Sequence, residues 1–413
     1  MPEPDMLSPY RVLDLTDEKG LLCGKIMADL GADVVKVERP GGDSARSFGP
    51  FYHDDPHPEK SLFWFAFNTN KRGITLDIET EDGRDVFRKL VKTADIVVES
   101  FPPGRMEELG LGYLSLGKIN PRVILVSITP FGQTGPYKDF KSPDIVAWAM
   151  GGYMYSVGDA DRAPVRISQH SQAYLHAGGQ AAQGALLALY GRELTGVGQH
   201  LDVSIRDSVT RCTPERITEA WDFRKVIVRR GGSGSTIRVK RTWPCKDGYV
   251  SAFFWSGPDA RRWNSPLTDW MESEGMSNEF INNMDWDTFD IQMLTQETYD
   301  RIAEPVGRFF MAHTKAELLA GAAKHKAQLY PLSTTADILD NPQLASREYW
   351  AEIEHRELGA TITYPGGFAK TSEAPPRIRR RAPLIGEHNI EIYEKELGIP
   401  RDKLLALKQM GAV

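Results

Sequence analysis

The sequence predicts an α/β protein, a doubly wound domain followed by a separate, smaller α+β domain. Three observations carry this. Short β-branched strands alternate with amphipathic helices as far as Ser127. The chain changes character after about residue 215, where tryptophans crowd together. Its 413 residues suggest two or three domains at roughly 150 residues each.

Val12-Leu13-Asp14-Leu15 reads as the first strand, and Leu21 to Leu30 has helical spacing of apolar residues. Gly31 supplies the helix stop before a second strand, Asp33 to Val37. The pattern resumes with strand Ile74 to Asp77, an amphipathic run from Gly83 to Val91, and strands Asp95 to Val98 and Val123 to Ser127. Strands separated by helices of this length imply right-handed crossovers and a parallel sheet covered on both faces. Tyr174 to Tyr190 is rich in Ala and Gly and reads as a tightly packed central helix. Trp221, Trp243, Trp255, Trp263, Trp270 and Trp286 fall in the middle section, with a basic Gly-rich loop from Arg229 to Ser235 and a strand from Tyr249 to Phe253. The boundaries expected are 1–215 for the large domain, 216–330 for the small domain and 331–413 for a C-terminal segment. A charged amphipathic helix spans about Asn389 to Leu397.

Composition narrows the function. Fifty basic residues against 56 acidic ones leave a net charge of −6, which argues against a nucleic-acid partner. Cys23, Cys212 and Cys245 are odd in number and far apart, so no disulfide framework is expected, and a reducing cytoplasm fits. No window approaches the roughly 20 apolar residues of a membrane span, and the acidic start lacks a secretion signal. The first turn, Thr16 to Gly24, lacks Gly-x-Gly-x-x-Gly spacing, and no Walker loop occurs, so an ordinary dinucleotide or ATP site is not supported. His53-Asp54-Asp55 with His57 reads as a solvated loop rather than a metal site, and Arg377 with Arg379, Arg380 and Arg381 as a salt-bridged strand.

Several segments together resemble the class III CoA-transferases, a family that includes the α-methylacyl-CoA racemases. They are Val12 to Leu15, Ala28 to Gly41, Asn68-Thr69-Asn70-Lys71-Arg72, Gly104 to Gly110, Asn120 to Val123, Phe131 to Tyr137, Thr195 to Gln199 and Ala382 to His388, in the family's order. The resemblance implies a Rossmann-like large domain built from both chain ends, with the smaller α+β domain inserted and residues 331–413 returning to the large domain, and two protomers threaded through each other as interlocked rings. It implies CoA or an acyl-CoA as substrate, with no permanently bound cofactor. Arg39, Lys71, Phe101 and Lys141 match CoA-contacting positions. Ser100 stands where Asn is usual and Glu108 where Arg is common, a loss that Arg105 one turn earlier can offset.

The family's transferases use an aspartate that attacks the acyl-CoA, because a carboxylate both attacks and leaves as an activated acyl group. The matching position, ten residues before Gly184, is Tyr174, and no Asp or Glu occurs from Arg162 to Arg192. A phenol with an ordinary pKa near 10 cannot repeat that chemistry. The racemase histidine position falls at Pro143. Glu18 occupies an acyl-site position, where it repels a carboxylate substrate unless Lys19 neutralises it. Asp144, Gly232 and Gly234 complete the expected lining, the glycines in a loop that closes over the acyl group. The leading expectation is therefore the non-nucleophilic subunit of a heteromeric CoA-transferase, its homologous partner supplying the aspartate. Succinyl-CoA and (R)-benzylsuccinate are the specific expectation for thioester and acid. The alternatives are a CoA-ester hydratase, lyase or isomerase using Tyr174, His170 or Glu18, and a CoA-ester binding protein without turnover.

Overall fold

The computed structural model describes residues 5–8, 10–158, 162–166, 171–212, 221 and 237–413. The chain divides into two compact units, one of residues 1–153, 166–215 and 344–413, the other of 154–165 and 216–343.

The first unit is built on a six-stranded parallel sheet in the order β3-β2-β1-β4-β5-β6. Its strands are β1 (Arg11–Leu15), β2 (Asp33–Glu38), β3 (Arg72–Thr75), β4 (Ile96–Glu99), β5 (Ile124–Thr129) and β6 (His200–Ser204). The central strands are Val- and Ile-rich and buried throughout, as a sheet covered on both faces requires. The order reverses at β1, because β2 and β3 extend to one side while β4 joins on the other. A crevice at the carboxyl ends of the strands follows from that reversal.

Helices α1 (Leu21–Asp29), α2 (Leu62–Asn68), α3 (Glu81–Val91), α4 (Arg105–Glu108), α5 (Tyr113–Ile119), α6 (Asp144–Met150), α7 (Gln172–Thr195) and α8 (Ile205–Thr210) accompany the sheet. In α3 the Thr80 side chain caps the start, with Glu81 and Asp82 in the first turn and Arg88 and Lys89 in the last, so charge and helix dipole agree. The small residues of α7 are used as expected: Ala173, Ala177, Ala181 and Ala185 are fully buried, and a Cβ on Gly178 would stand 3.0 Å from Leu22 Cβ on α1.

Strand β3 starts two residues before the expected Ile74, because Arg72 to Thr75 pair in register with Val35 to Glu38. Arg72 is tolerated there since its guanidinium binds Asp33 at 2.6 Å and Glu391 at 2.7 Å. The C-terminal segment covers this outer strand. His388 Nδ1 accepts the Gly73 amide at 3.1 Å, Asn389 Oδ1 accepts that of Thr75 at 2.9 Å, and the Tyr393 hydroxyl donates to Thr75 O at 2.7 Å. The expected helix after Asn389 is present as Ile390–Glu396, wound as a π-helix. An antiparallel hairpin, Trp350–His355 with Ala360–Pro365, also belongs to this unit. Arg377 to Arg381 form ion pairs but no strand: Arg379 binds Asp5 at 3.2 Å, and Arg381 binds Glu357 at 2.9 Å and Glu387 at 2.8 Å.

The second unit has a three-stranded antiparallel sheet, Thr242–Cys245, Gly248–Ala252 and Leu329–Pro331. Against it pack helices Ala260–Ser273, Gln296–Ala312 and Lys315–His325. Trp243, Trp270 and Trp286 are buried in its core with Phe309 and Phe310, whereas Trp221 and Trp255 are exposed. The Trp270 ring meets Phe309 edge-on at 4.8 Å and stacks on His325 at 5.1 Å. Gly321 lies beneath it, where an added Cβ would fall 2.1 Å from the indole. Gly321→Ala is therefore expected to destabilise this unit by about 1–3 kcal/mol through overpacking. Urea denaturation reads the shift, and an unchanged midpoint would show that the ring has room to move.

Candidate active site

The crevice at the strand reversal is a cleft of about 820 Å³. The turns after β1, β2 and β4 reach it with Asp17 to Lys19, Arg39 and Ser100 to Pro103. Lys138 to Pro143 and Tyr174 also line it.

The turn after β1 is set from below. Asp14, buried inside β1, accepts hydrogen bonds at Oδ1 from the Thr16 amide (3.0 Å) and hydroxyl (2.7 Å). Its Oδ2 accepts from Lys71 Nζ at 2.7 Å, and neither side chain is exposed. Burial alone would raise the Asp14 carboxyl, but the Lys71 and Lys36 ammoniums beside it hold it below its ordinary value. Lys71 also donates to Leu21 O at 3.0 Å and Asn68 Oδ1 at 2.9 Å, so all three of its N–H donors are used inside the protein. This corrects the expectation that Lys71 touches CoA: it is sealed beneath α1. A Cβ on Gly24 would lie 2.2 Å from Asp14 Oδ2, so α1 passes over the pair only without a side chain there.

Above this pair, Asp17 and Ser100 hold each other. The Ser100 hydroxyl accepts from the Asp17 amide at 2.9 Å and donates to Asp17 Oδ1 at 2.8 Å. Lys19 forms its ion pair with Asp17 rather than Glu18. Glu18 therefore stands on the cleft wall with burial, and then the Asp17 charge, pushing its carboxyl above the ordinary value. The neutralisation of Glu18 by Lys19 that the sequence allowed is not what forms.

Arg39 lines the cleft with a largely exposed side chain, 3.9 Å from Glu79. Arg105 is not on the cleft wall, because its guanidinium is held by Glu79 and by Glu108 at 2.8 Å. Phe101 and Lys141 line the cleft as expected, with Lys138 as a third cation. Tyr174, in the first turn of α7, donates its hydroxyl to Ser142 O at 3.1 Å. Burial, then the Glu18 and Asp144 charges, push the phenol further up, so it is neutral at any working pH. Asp144 is behind the wall rather than on it. Its Oδ1 accepts the Ala173 amide at 2.8 Å, tying α6 to the start of α7. His170, Gly232 and Gly234 lie outside the described residues.

Among the described residues no group of three or more His, Cys, Asp or Glu side chains is placed to hold a metal ion, and no helix is long and apolar enough to cross a membrane.

The sequence matches the profile of CoA-transferase family III over residues 7–389. The chain belongs to the class III CoA-transferases. It is 36% identical over 413 residues, covering 98% of both chains, to the BbsE subunit of succinyl-CoA:(R)-benzylsuccinate CoA-transferase of Thauera aromatica. It is 31% identical, again over 98% of both chains, to the β subunit of succinyl-CoA–L-malate CoA-transferase of Chloroflexus aurantiacus. A solved CAIB/BAIF family protein from Brucella suis superimposes with a TM-score of 0.81 at 28% identity, covering 94% of this chain and 98% of that one. The members of this family act on CoA thioesters, and this class III CoA-transferase chain presents Arg39, Lys138, Lys141 and Phe101 along a cleft at its sheet edge, besides Lys19 in its pair with Asp17.

Sequence reading missed Asp14, Lys36 and Glu99, all buried and ionisable within strands. For Asp14 and Lys36 the available signal was a charged residue flanked on both sides by apolar strand residues, whereas Glu99 is followed by Ser100 and gave no such signal. Lys71→Met leaves the Asp14 carboxylate buried without its nearest partner. A loss of about 3–5 kcal/mol is expected in chemical denaturation. Weakened CoA binding at unchanged stability would instead favour a direct contact.

Proposed function

We propose that this chain is the non-nucleophilic subunit of a heteromeric CoA-transferase in the cytoplasm. It moves CoA from succinyl-CoA to a substituted succinate, with (R)-benzylsuccinate as the specific acceptor. A homologous subunit, interlocked with this one, carries the aspartate that does the covalent chemistry. The observation that carries the reading is Tyr174, at the position the family resemblance assigns to the nucleophile: its phenol, hydrogen-bonded to Ser142 O, stands on the cleft wall. A transferase carboxylate attacks the thioester carbon, expels the CoA thiolate as a mixed anhydride forms, and is itself converted to a thioester that the acceptor acid attacks in turn. An aryl ester on Tyr174 offers no equivalent route. The choice of donor and acceptor rests on the names of the relatives, two of them subunits of succinyl-CoA-dependent transferases.

In this reading the cleft holds the nucleotide end of CoA. Arg39 and Lys141 meet its phosphates, since a guanidinium fork and an ammonium are the usual phosphate partners, and Phe101 offers an apolar face to the adenine. Gly232 and Gly234 belong to a loop that closes over an acyl group. CoA enters and leaves as a substrate, with no permanently bound cofactor.

Glu18 favours a second reading, an acid–base reaction on a CoA ester within this chain, because a carboxyl of raised pKa on a cleft wall suits a general acid. One experiment separates the two. The purified chain is assayed with succinyl-CoA and (R)-benzylsuccinate alone and after co-expression with the homologous subunit that carries the aspartate. Transfer is expected only in the mixture. It should be abolished by Asp→Asn in the partner and retained within about threefold in Tyr174→Phe, as for a residue making no bond specific to the transition state. Turnover of CoA esters by the lone chain, lost in Glu18→Gln, would overturn the proposal in favour of the second reading.

Arg39→Ala and Lys141→Ala should each weaken CoA binding by about 1–3 kcal/mol, the worth of a hydrogen bond to a charged group. Isothermal titration at two salt concentrations checks this, and unchanged affinity in both variants would remove CoA from this cleft.

A further inference from the structure

Glu99 ends β4, almost completely buried, and no part of the proposed chemistry uses it. Its Oε2 accepts the backbone N–H of Phe101 at 2.6 Å, in the turn that lines the cleft. Across the sheet, Glu99 pairs in register with Ser127 on β5, whose Oγ lies 2.9 Å from His200 Nε2 on β6. The Glu99 carboxyl thus ties the end of β4 to the turn that lines the cleft.

We propose that Glu99 is a positioning residue for the CoA cleft, holding the Phe101 turn in its binding geometry when ionised and loosening it when protonated. The inference rests on the reading of this cleft as the CoA site.

The chemistry follows from hydrogen-bond direction. Ionised Glu99 only accepts, and the Phe101 amide donates to it. Once a proton from solvent binds the carboxylate, the Phe101 amide keeps only a weaker, neutral acceptor. The groups facing Glu99 favour a switch near neutrality. Burial pushes its carboxyl up to about 7, and Asp17 from the β1 turn and Glu107 from α4 add in the same direction, while the Ser127 hydroxyl and the Phe101 amide oppose them. The carboxyl thus changes charge across the pH range in which the binding-competent fraction matters.

Two measurements test this together: CoA affinity by isothermal titration from pH 6 to pH 8, and hydrogen-exchange protection of the Phe101 amide over the same range without ligand. Glu99→Gln has no carboxyl to titrate but keeps the other titrating groups, and CoA's own phosphates are unchanged. With the competent fraction following Glu99 ionisation, affinity should fall about threefold to tenfold between pH 8 and pH 6 in the native chain. The Glu99→Gln profile should be flatter by that factor, and Phe101 protection should fall at low pH in the native chain alone. Superimposable affinity profiles in the two proteins, or Phe101 protection independent of pH in the native chain, would overturn the inference. Protection that follows pH in a chain that binds no CoA at any pH would overturn the cleft reading instead and leave the role of Glu99 in the turn intact.

Discussion

The structure around the cleft depends on one buried ion pair. Asp14 stands in the middle of the sheet between the buried Leu13 and Leu15, and an isolated carboxylate there would be expelled or protonated. Lys71 satisfies it from the start of the outermost strand, reaching under α1 past the bare Cα of Gly24. Thr16 takes the other carboxylate oxygen with both its amide and its hydroxyl. The pair therefore does two things at once: it keeps α1 and β3 locked to β1, and it fixes the turn that delivers Asp17, Glu18 and Lys19 to the cleft. A second buried cation, Lys36, closes the arrangement by binding Thr16 O at 2.5 Å and Asp43 at 2.9 Å.

That scaffold explains why the cleft chemistry is unusual. With Lys19 drawn to Asp17, and Asp17 held by Ser100, Glu18 forms no ion pair among the described residues. The same cleft is lined by Tyr174, whose hydroxyl is already committed to Ser142 O. The wall thus presents a carboxyl of raised pKa and a neutral phenol, while the cations lie elsewhere on it at Arg39, Lys138 and Lys141. Such a surface suits holding a phosphorylated ligand better than forming a covalent bond to its acyl group, which is the division of labour the proposed subunit roles require.

Much of the sheet was legible because β-branched runs between helical segments leave few other arrangements, and the small residues of α7 announced its close packing on α1. The start of β3 was not, since Arg72 reads as polar until Asp33 and Glu391 are seen beside it. Lys71 was misplaced for a related reason: a lysine before a strand reads as a surface cation, and its partner lies 57 residues upstream. Asp144 followed the same logic, because an acid near the nucleophile position is indistinguishable in sequence from one that caps the helix carrying it. Arg39, Phe101, Lys141, Glu18 and Tyr174 do meet on one cleft. Their meeting was implied by the family resemblance, since no periodicity or spacing connects residues so distant along the chain.

The account stands on the absence of a covalent step in this polypeptide. Intact-mass spectrometry of the assembled enzyme, quenched with hydroxylamine during turnover, reads that step directly, because an acyl-activated carboxylate is trapped as a hydroxamate on whichever subunit carries it. The account predicts the hydroxamate on the homologous subunit alone. A hydroxamate on this chain, at Glu18 or any other carboxylate, would contradict it.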